Sequence, residues 1–416
     1  MNVFKEIDVL IIGAGPSGTI ASAYLKNNGF NVLIVEKKKF PRFVIGESLL
    51  PRTIDHLEEV GFLEAVKNAG FQEKLGATFF DKGKKCEFLF AEQFTKGYEY
   101  AFQVPRDEFD KVLSDAAEKK GIEILFEYTV ENVDFQDGFQ NTTISNNNEK
   151  LIVKSKFIID ASGYGRVLPK QLDLNVPSSL KARSAIFTQL KNNFKGITQK
   201  QNNIFIDTLD DDTKAWMWII PFSDNRTSVG FVGDDKWIQS FQENPKNKFS
   251  EALGKNAIFN DIFQEIEFEF EPTIIRGYSV GVKQVFGDGY VMVGNSTEFL
   301  DPVFSSGVML ATETGLLAAK LAVKELKDTV VDWQTEYAEI VAGGVDVFRS
   351  YVDAWYDGTL HTIFFTNEIR KDMKEQICSV LAGYVFDQKN PFVKKHRRAL
   401  KNLAKEKTLI IIAHRL

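Results

Sequence analysis

Val9-Leu10-Ile11-Ile12-Gly13-Ala14-Gly15-Pro16-Ser17-Gly18 is the stretch on which the fold turns. Four consecutive apolar residues closed by glycine suit a strand buried on both faces of a parallel sheet. The G-x-G-x-x-G spacing then opens a helix over Pro16 to Lys26, and Asn31 to Val35 supplies a second buried strand, completing a βαβ unit. Each glycine has its own task. Gly13 permits the tight turn, Gly15 lets a pyrophosphate approach the backbone, and Gly18 lets helix and strand pack closely. The helix start at Pro16 and Ser17 offers unpaired N–H groups and positive dipole to phosphates. Glu36, with Lys37 beside it, ends the second strand at the spacing of a carboxylate that accepts from ribose hydroxyls. Together these residues predict a dinucleotide site.

The 416 residues are 44% apolar and 26% charged, enough for two or three domains of ordinary globular composition. A net charge of −6, with only short basic runs at Lys37–Lys39 and Lys394–Arg398, argues against a nucleic-acid or anionic-membrane partner. Cys86 and Cys378 cannot build a disulfide framework, and no Cys/His spacing suits zinc, so a cytoplasmic setting without a metal is expected. Glu6 and Asp8 precede the first apolar run, unlike the basic start of a signal peptide. No segment offers about 18 uninterrupted apolar residues, which predicts no membrane span. The 36 phenylalanines are an excess. They enlarge the core or line an aromatic tunnel, and core is the commoner use. His56, His361, His396 and His414 are scattered and receive no catalytic role.

Further along, a helix is expected over Arg106 to Lys119, with strands at Ile122 to Phe126 and Phe157 to Ile159. From about Leu180 to Phe270 the character changes. Segments such as Ala185–Leu190 and Thr227–Val232 suggest an antiparallel sheet inserted into the nucleotide domain. Met309 to Lys327 reads as a long amphipathic helix, and the chain from Trp333 onward looks mainly helical, ending in an apolar patch at Thr408 to His414. The expected class is α/β, α+β overall. A Rossmann-like nucleotide domain spans 1–70, 101–175 and 271–330, a substrate domain 71–100 and 176–270, and a helical region 331–416.

Several further segments occur in an order that resembles one FAD-binding family, which includes aromatic hydroxylases, geranylgeranyl reductases and flavin-dependent halogenases. Phe40-Pro41-Arg42-Phe43-Val44-Ile45-Gly46-Glu47-Ser48-Leu49-Leu50-Pro51 is similar to the family segment that passes the flavin. Val104-Pro105-Arg106 resembles the piece whose arginine approaches the cofactor. Asp160-Ala161-Ser162-Gly163 and Val293-Gly294-Asn295 resemble two later flavin motifs, although the family usually carries Gly-Asp at the latter. Asparagine keeps an acceptor and adds donors. The resemblance implies FAD held by Gly13, Gly15, Pro16, Ser17, Gly18, Glu36, Lys37, Glu47, Ser48, Arg106, Asp160, Gly163, Gly294 and Asn295.

Ala215-Trp216-Met217-Trp218-Ile219-Ile220-Pro221, alone a strand edge, resembles the Trp-x-Trp-x-Ile-Pro signature of the halogenases. Those enzymes use reduced FAD and O2 to oxidise halide, and hypohalous acid travels to a lysine beside the substrate. Lys74, in Phe71–Phe79, resembles that lysine; it would act as an ammonium donating a hydrogen bond or as a neutral amine forming a haloamine. Trp216 and Trp218, at alternate positions, should share one face of the strand. The family places them as a wall between flavin and substrate pocket. Phe299–Gly307 fits the pattern F-x-x-P-x-x-S-x-G, so Pro302, Ser306 and Gly307 would hold the flavin, with a halide or alone as in reductases. Met309 stands where another glycine is usual. No second dinucleotide motif is visible, so a separate flavin reductase is implied. The expected activity is halogenation of an electron-rich aromatic or pyrrole-like substrate, free or carrier-tethered. The alternatives are a monooxygenase or geranylgeranyl-reductase-like enzyme without halide chemistry, and a non-enzymatic flavin-binding accessory protein.

Overall fold

The computed structural model describes residues 3–178, 180–191, 202–209, 215–256, 266–277, 279–365 and 369–415. Strand Val3–Ile12 runs between Val32–Glu36 and Lys150–Asp160, parallel to both, with Ile12 opposite Val35 and Asp160. Glu123–Phe126 extends the sheet beyond Val32–Glu36, and Tyr290–Met292 extends it beyond Lys150–Asp160, again in parallel. The expected strand over Phe157 to Ile159 is thus the end of an 11-residue one. Helices Pro16–Asn27 and Arg106–Lys119 match their expected spans within a residue.

The second sheet has the order Thr273–Arg276, Ser184–Lys191, Arg226–Gly233, Trp216–Pro221, Asn203–Thr208, Gly76–Asp81, Lys84–Leu89. One expectation is met and one corrected here. The strands between about Leu180 and Arg276 pair antiparallel as expected, and Gly76–Asp81 joins them beside Asn203–Thr208 in parallel. Trp216–Pro221 is a central strand, bonded on both sides and buried at every position, so its apolar run reflects double-sided burial rather than an edge.

Helix Ser306–Glu325 is likewise no surface amphipathic helix. It has the length and apolarity of a membrane-crossing helix, but most of it is buried within the fold. A Cβ on Gly315 would lie 2.5 Å from the Ser17 carbonyl oxygen, so this glycine lets the helix touch Pro16–Asn27 backbone to backbone. Arg52 and His56 meet Glu313 on the same helix at 2.8 Å each. Burial alone would raise the Glu313 carboxyl, but these partners hold it down to about 2. The C-terminal part is helical as expected, with Glu339–Tyr356, Thr359–Phe365, Lys371–Leu381 and His396–Arg415. Its Trp355 and Phe364 rings pack on Phe79 and Phe88 of the second sheet, which is where part of the phenylalanine excess goes. The Thr408 to His414 patch falls on the last helix, and its side chains from 409 onward lie outside the described residues.

Gly230 shows how the second sheet accommodates its large rings. It stands opposite Trp218 on one neighbouring strand and Phe187 on the other. A Cβ there would lie 2.3 Å from the Trp218 ring and 2.7 Å from the Phe187 Cβ. Gly230→Ala should therefore overpack the sheet and cost about 1–3 kcal/mol. Urea denaturation together with a shifted tryptophan emission checks this; an unchanged midpoint would show that the rings can step aside.

Candidate active site

The first βα turn separates the tasks of its glycines. Gly13 has φ +105°, and a Cβ on it would lie 2.5 Å from the Ala161 carbonyl oxygen. A Cβ on Gly18 would lie 2.0 Å from the Gly13 oxygen, so that position is closed by packing of helix on strand. Gly15 differs. A Cβ there meets nothing nearer than the Arg42 guanidinium at 3.7 Å. The fold leaves that space open at a helix N-terminus, which is where a pyrophosphate fits. Glu36 is positioned by the same turn, accepting from the Ala14 N–H at 3.0 Å and the Lys38 N–H at 2.9 Å.

An outer cavity brings together Gly13, Gly15, Pro16, Ser17, Glu36, Lys37, Arg106, Gly163, Asn295 and Gly307. Three of the expected cofactor residues stand behind its wall. Gly18 is consumed by helix packing. Asp160 is buried, and its carboxylate accepts from the Ser162 and Leu168 N–H groups at 2.9 and 2.8 Å, which shapes the loop leading to Gly163. Gly294, at φ +57°, fits against Ala311 and Ser17. Arg42 joins the cavity without having been singled out, although it lies inside the quoted Phe40–Pro51 segment. Arg42 and Arg106 share one buried carboxylate, Asp110, at 2.9 Å each. Arg106 also donates to the Ile45 and Gly46 carbonyls at 3.1 and 3.3 Å, tying down the next segment.

That segment forms one side of an inner cavity lined by Glu47, Ser48, Trp216, Trp218, Asp301, Pro302 and Ser306 among mostly apolar neighbours. Ile45, Gly46, Tyr164, Phe187, Ile275, Phe299, Gly307 and Val308 line both cavities, so the two adjoin there. Phe187, Tyr164 and Phe299, not the tryptophan pair, are the rings on that shared boundary. Phe187 stacks between Phe43 and Trp218, at centroid distances of 5.7 and 6.3 Å. Trp216 and Trp218 do share a face, as their spacing requires, and line only the inner cavity. Their indole N–H groups fix their orientation. Trp216 donates to the Tyr356 hydroxyl at 2.9 Å, which donates to Asp301 at 2.8 Å, and Trp218 donates to Ser228 at 3.0 Å. The Tyr356–Asp301 link spans 55 residues, and no sequence pattern announces it.

Lys74 lies behind this cavity, not in its lining. Strand Ala101–Gln103 carries Gln72–Lys74 on one side and the Glu47–Leu49 segment on the other. The Lys74 amine donates to the Ser48 hydroxyl at 2.9 Å and to the Leu49 carbonyl at 3.0 Å. Burial lowers its pKa to about 7. Glu47 accepts from the Gln189 amide at 2.8 Å. Burial raises its carboxyl to about 7, against the Ser228 hydroxyl, the Gln189 amide and the Arg106 charge, which favour the ionised form.

The family pattern described as FAD binding domain matches residues 6–289, more than half of the chain. The chain belongs to this FAD-binding family. The flavoprotein is 28% identical over 409 residues to the 1H-pyrrole-2-carbonyl-[peptidyl-carrier protein] chlorinase of Pseudomonas fluorescens, covering 92% of this chain and 90% of that one. It is 29% identical to the corresponding brominase of Pseudoalteromonas luteoviolacea, covering 93% and 94%. Among solved structures it superposes on a flavoprotein/dehydrogenase from Cytophaga hutchinsonii with a TM-score of 0.94 at 45% identity, covering 97% and 99%. The flavin-dependent brominase Bmp2 shares the fold, with a TM-score of 0.81 at 23% identity and coverage of 96% and 98%. The protein is an FAD-dependent oxidoreductase, and its curated relatives include flavin-dependent halogenases. The open space at Gly15 fits the cofactor.

Glu47 gives this site a measurable pH signature. In the folded protein it keeps its proton up to about pH 7, whereas the unfolded carboxyl releases it near 4.5. The folded state binds the extra proton in that window, so this contribution to stability is full below 4.5 and is lost as pH rises through about 7. Glu47→Gln removes the loss. Its stability relative to the parent should rise between about pH 5 and pH 8, as read by urea denaturation; an equal difference at both pH values would place the Glu47 titration elsewhere.

Proposed function

We propose that this enzyme is a flavin-dependent halogenase that oxidises chloride or bromide with reduced FAD and O2, then halogenates an electron-rich aromatic or pyrrole-like substrate. The observation that carries the reading is the inner cavity, apolar, walled by Trp216 and Trp218, and backed by the buried Lys74–Ser48 pair. A hypohalous acid released there would be kept from bulk water. FAD, when bound, supplies the two-electron chemistry with oxygen. The chain's own residues do the rest. Gly15, Pro16 and Ser17 would hold the pyrophosphate at the helix start, Glu36 the ribose, and Asn295 the ribityl chain. The backbone N–H groups of Ser306 and Gly307, at the start of a 20-residue helix, would be offered to the flavin and a halide.

The names of the two pyrrole-carrier relatives support a carrier-tethered acyl substrate as the first to try. With the single dinucleotide motif assigned to FAD, reducing equivalents come from a separate flavin reductase in the cytoplasm. A second reading, an oxidoreductase that uses no halide, draws on the 45% identical Cytophaga protein, described as a flavoprotein/dehydrogenase, and on Met309 in place of the usual glycine.

Two experiments test these assignments. Gly15→Val places a branched side chain in space that no protein atom fills, so the variant should fold and purify without the yellow cofactor. A folded variant with full FAD content would remove the assignment. With reduced FAD, O2, bromide and an electron-rich substrate panel, the parent should give brominated product, and Lys74→Ala should lower it by about 100-fold while flavin is still oxidised. Hydroxylated or reduced products alone, in saturating bromide, would favour the second reading.

A further inference from the structure

A third cavity lies next to the inner one, sharing Asp301 with it and taking Tyr356 into its own wall. The hydrogen-bonded chain from Trp216 through Tyr356 to Asp301 therefore stands between the two. Arg183 lines this third cavity and is only 5% exposed. Its guanidinium lies over the Tyr356 ring at 4.0 Å, and its Nε is buried without a hydrogen-bond partner. A ring face attracts the charge but accepts no bond in the guanidinium plane. Among the described residues, neither Arg183 nor Lys181, the other cation of the cavity, has an ion pair. Every carboxylate of the cavity does have a partner. Asp234 accepts from the Trp237 N–H at 2.8 Å, Asp357 from the Thr359 N–H at 2.8 Å, and Asp353 pairs with Arg397 at 3.5 Å. Asp301 accepts from the Tyr356 hydroxyl at 2.8 Å and from the Val303 N–H at 3.1 Å. Burying an arginine in this way costs stability unless an anion completes it.

We infer that Arg183 binds a singly charged anionic group, a carboxylate or a phosphodiester, of the substrate whose ring enters the inner cavity. The placing of that ring rests on the halogenase reading above. The planar fork of a guanidinium takes two oxygens of such a group at once. Charge count selects a monoanion. With four carboxylates against two cations in the wall, a phosphate dianion meets net repulsion, whereas one charge seated on the guanidinium is attracted at contact distance. The Tyr356 ring holds the fork in place, and the Tyr356 hydroxyl ties it to Trp216 on the inner wall. Asp301, common to both cavities, marks where a substrate anchored on Arg183 passes towards the tryptophan wall.

Titration calorimetry on the FAD-loaded protein tests this without turnover. The probes are benzoate, phenylacetate and phenylpropanoate, each beside its methyl ester, and the benzoyl thioester of pantetheine, with its phosphate as a methyl diester or with no phosphate. In at least one pair the charged member should bind about 30-fold more tightly than the neutral one. Arg183→Met, which keeps an unbranched stem against Tyr356, should erase that difference and leave the neutral probes unchanged. Arg183→Lys, a charge without the fork, should keep only part of it. Preference within the acid pairs assigns the site to free aromatic acids, and preference within the thioester pair assigns it to the arm of a carrier. Equal affinities within every pair, or a preference that survives in Arg183→Met, would overturn the inference. The parent comparison and Arg183→Lys keep the test open if Arg183→Met does not fold. A parent that discriminates through Arg183 yet makes no brominated product would remove the halogenase reading and leave the anion site standing.

Discussion

Three pieces of backbone meet at the first βα turn with no side chain between them. Gly18 lies against the Gly13 carbonyl, Gly13 under the Ala161 carbonyl, and Gly315 against the Ser17 carbonyl. At each contact a Cβ would come within 2.5 Å of an oxygen. Helix Pro16–Asn27 is therefore locked to its own strand, to the end of Lys150–Asp160, and to the buried helix Ser306–Glu325. Everything that faces the cofactor hangs from that junction. It fixes the helix start whose N–H groups face the phosphates, and it fixes the far helix whose first turn, entered through Ser305 at φ +57°, faces both cavities.

The second organising feature is a pair of titratable groups moved in opposite directions by the same cause. Glu47 and Lys74 flank one strand and both are buried, which disfavours each charge and brings both pKa values to about 7. Burial of this kind is destabilising unless the polar atoms find partners. Here the partners are neutral: the Gln189 amide for one oxygen of Glu47, whose other oxygen is buried without a hydrogen bond, and a hydroxyl and a carbonyl for Lys74. Such groups change charge state at small energetic cost near neutrality, and proton-transfer chemistry requires that property of its site.

The outer cavity is built on the opposite principle. Arg42 and Arg106 converge on Asp110, so two positive charges stay beside the pyrophosphate space without repelling each other out of it. The inner cavity is bounded by rings whose polar atoms are tied off, Trp216 through Tyr356 to Asp301 and Trp218 to Ser228. Arg183 stacks on the Tyr356 ring at 4.0 Å, holding that link from its other side.

Local signals in the sequence were enough for the nucleotide fold. Glycine spacing, a continuous apolar strand and a helix start are each determined within about ten residues, because φ freedom, burial and capping are local properties. The same holds for helix Arg106–Lys119 and for the shared face of Trp216 and Trp218, which follows from strand periodicity. Tertiary structure decided what depends on distant partners. It made Trp216–Pro221 central, since an apolar run alone does not say how many neighbours cover it. It buried Ser306–Glu325, turned Asp160 inward to shape a loop, and recruited Arg42, Phe187 and Tyr356. It also set Lys74 behind Ser48, because the strand between them comes from a third stretch of chain, Ala101–Gln103. The residue types were written in the sequence; which of them reach the cavity depended on contacts between segments far apart in it.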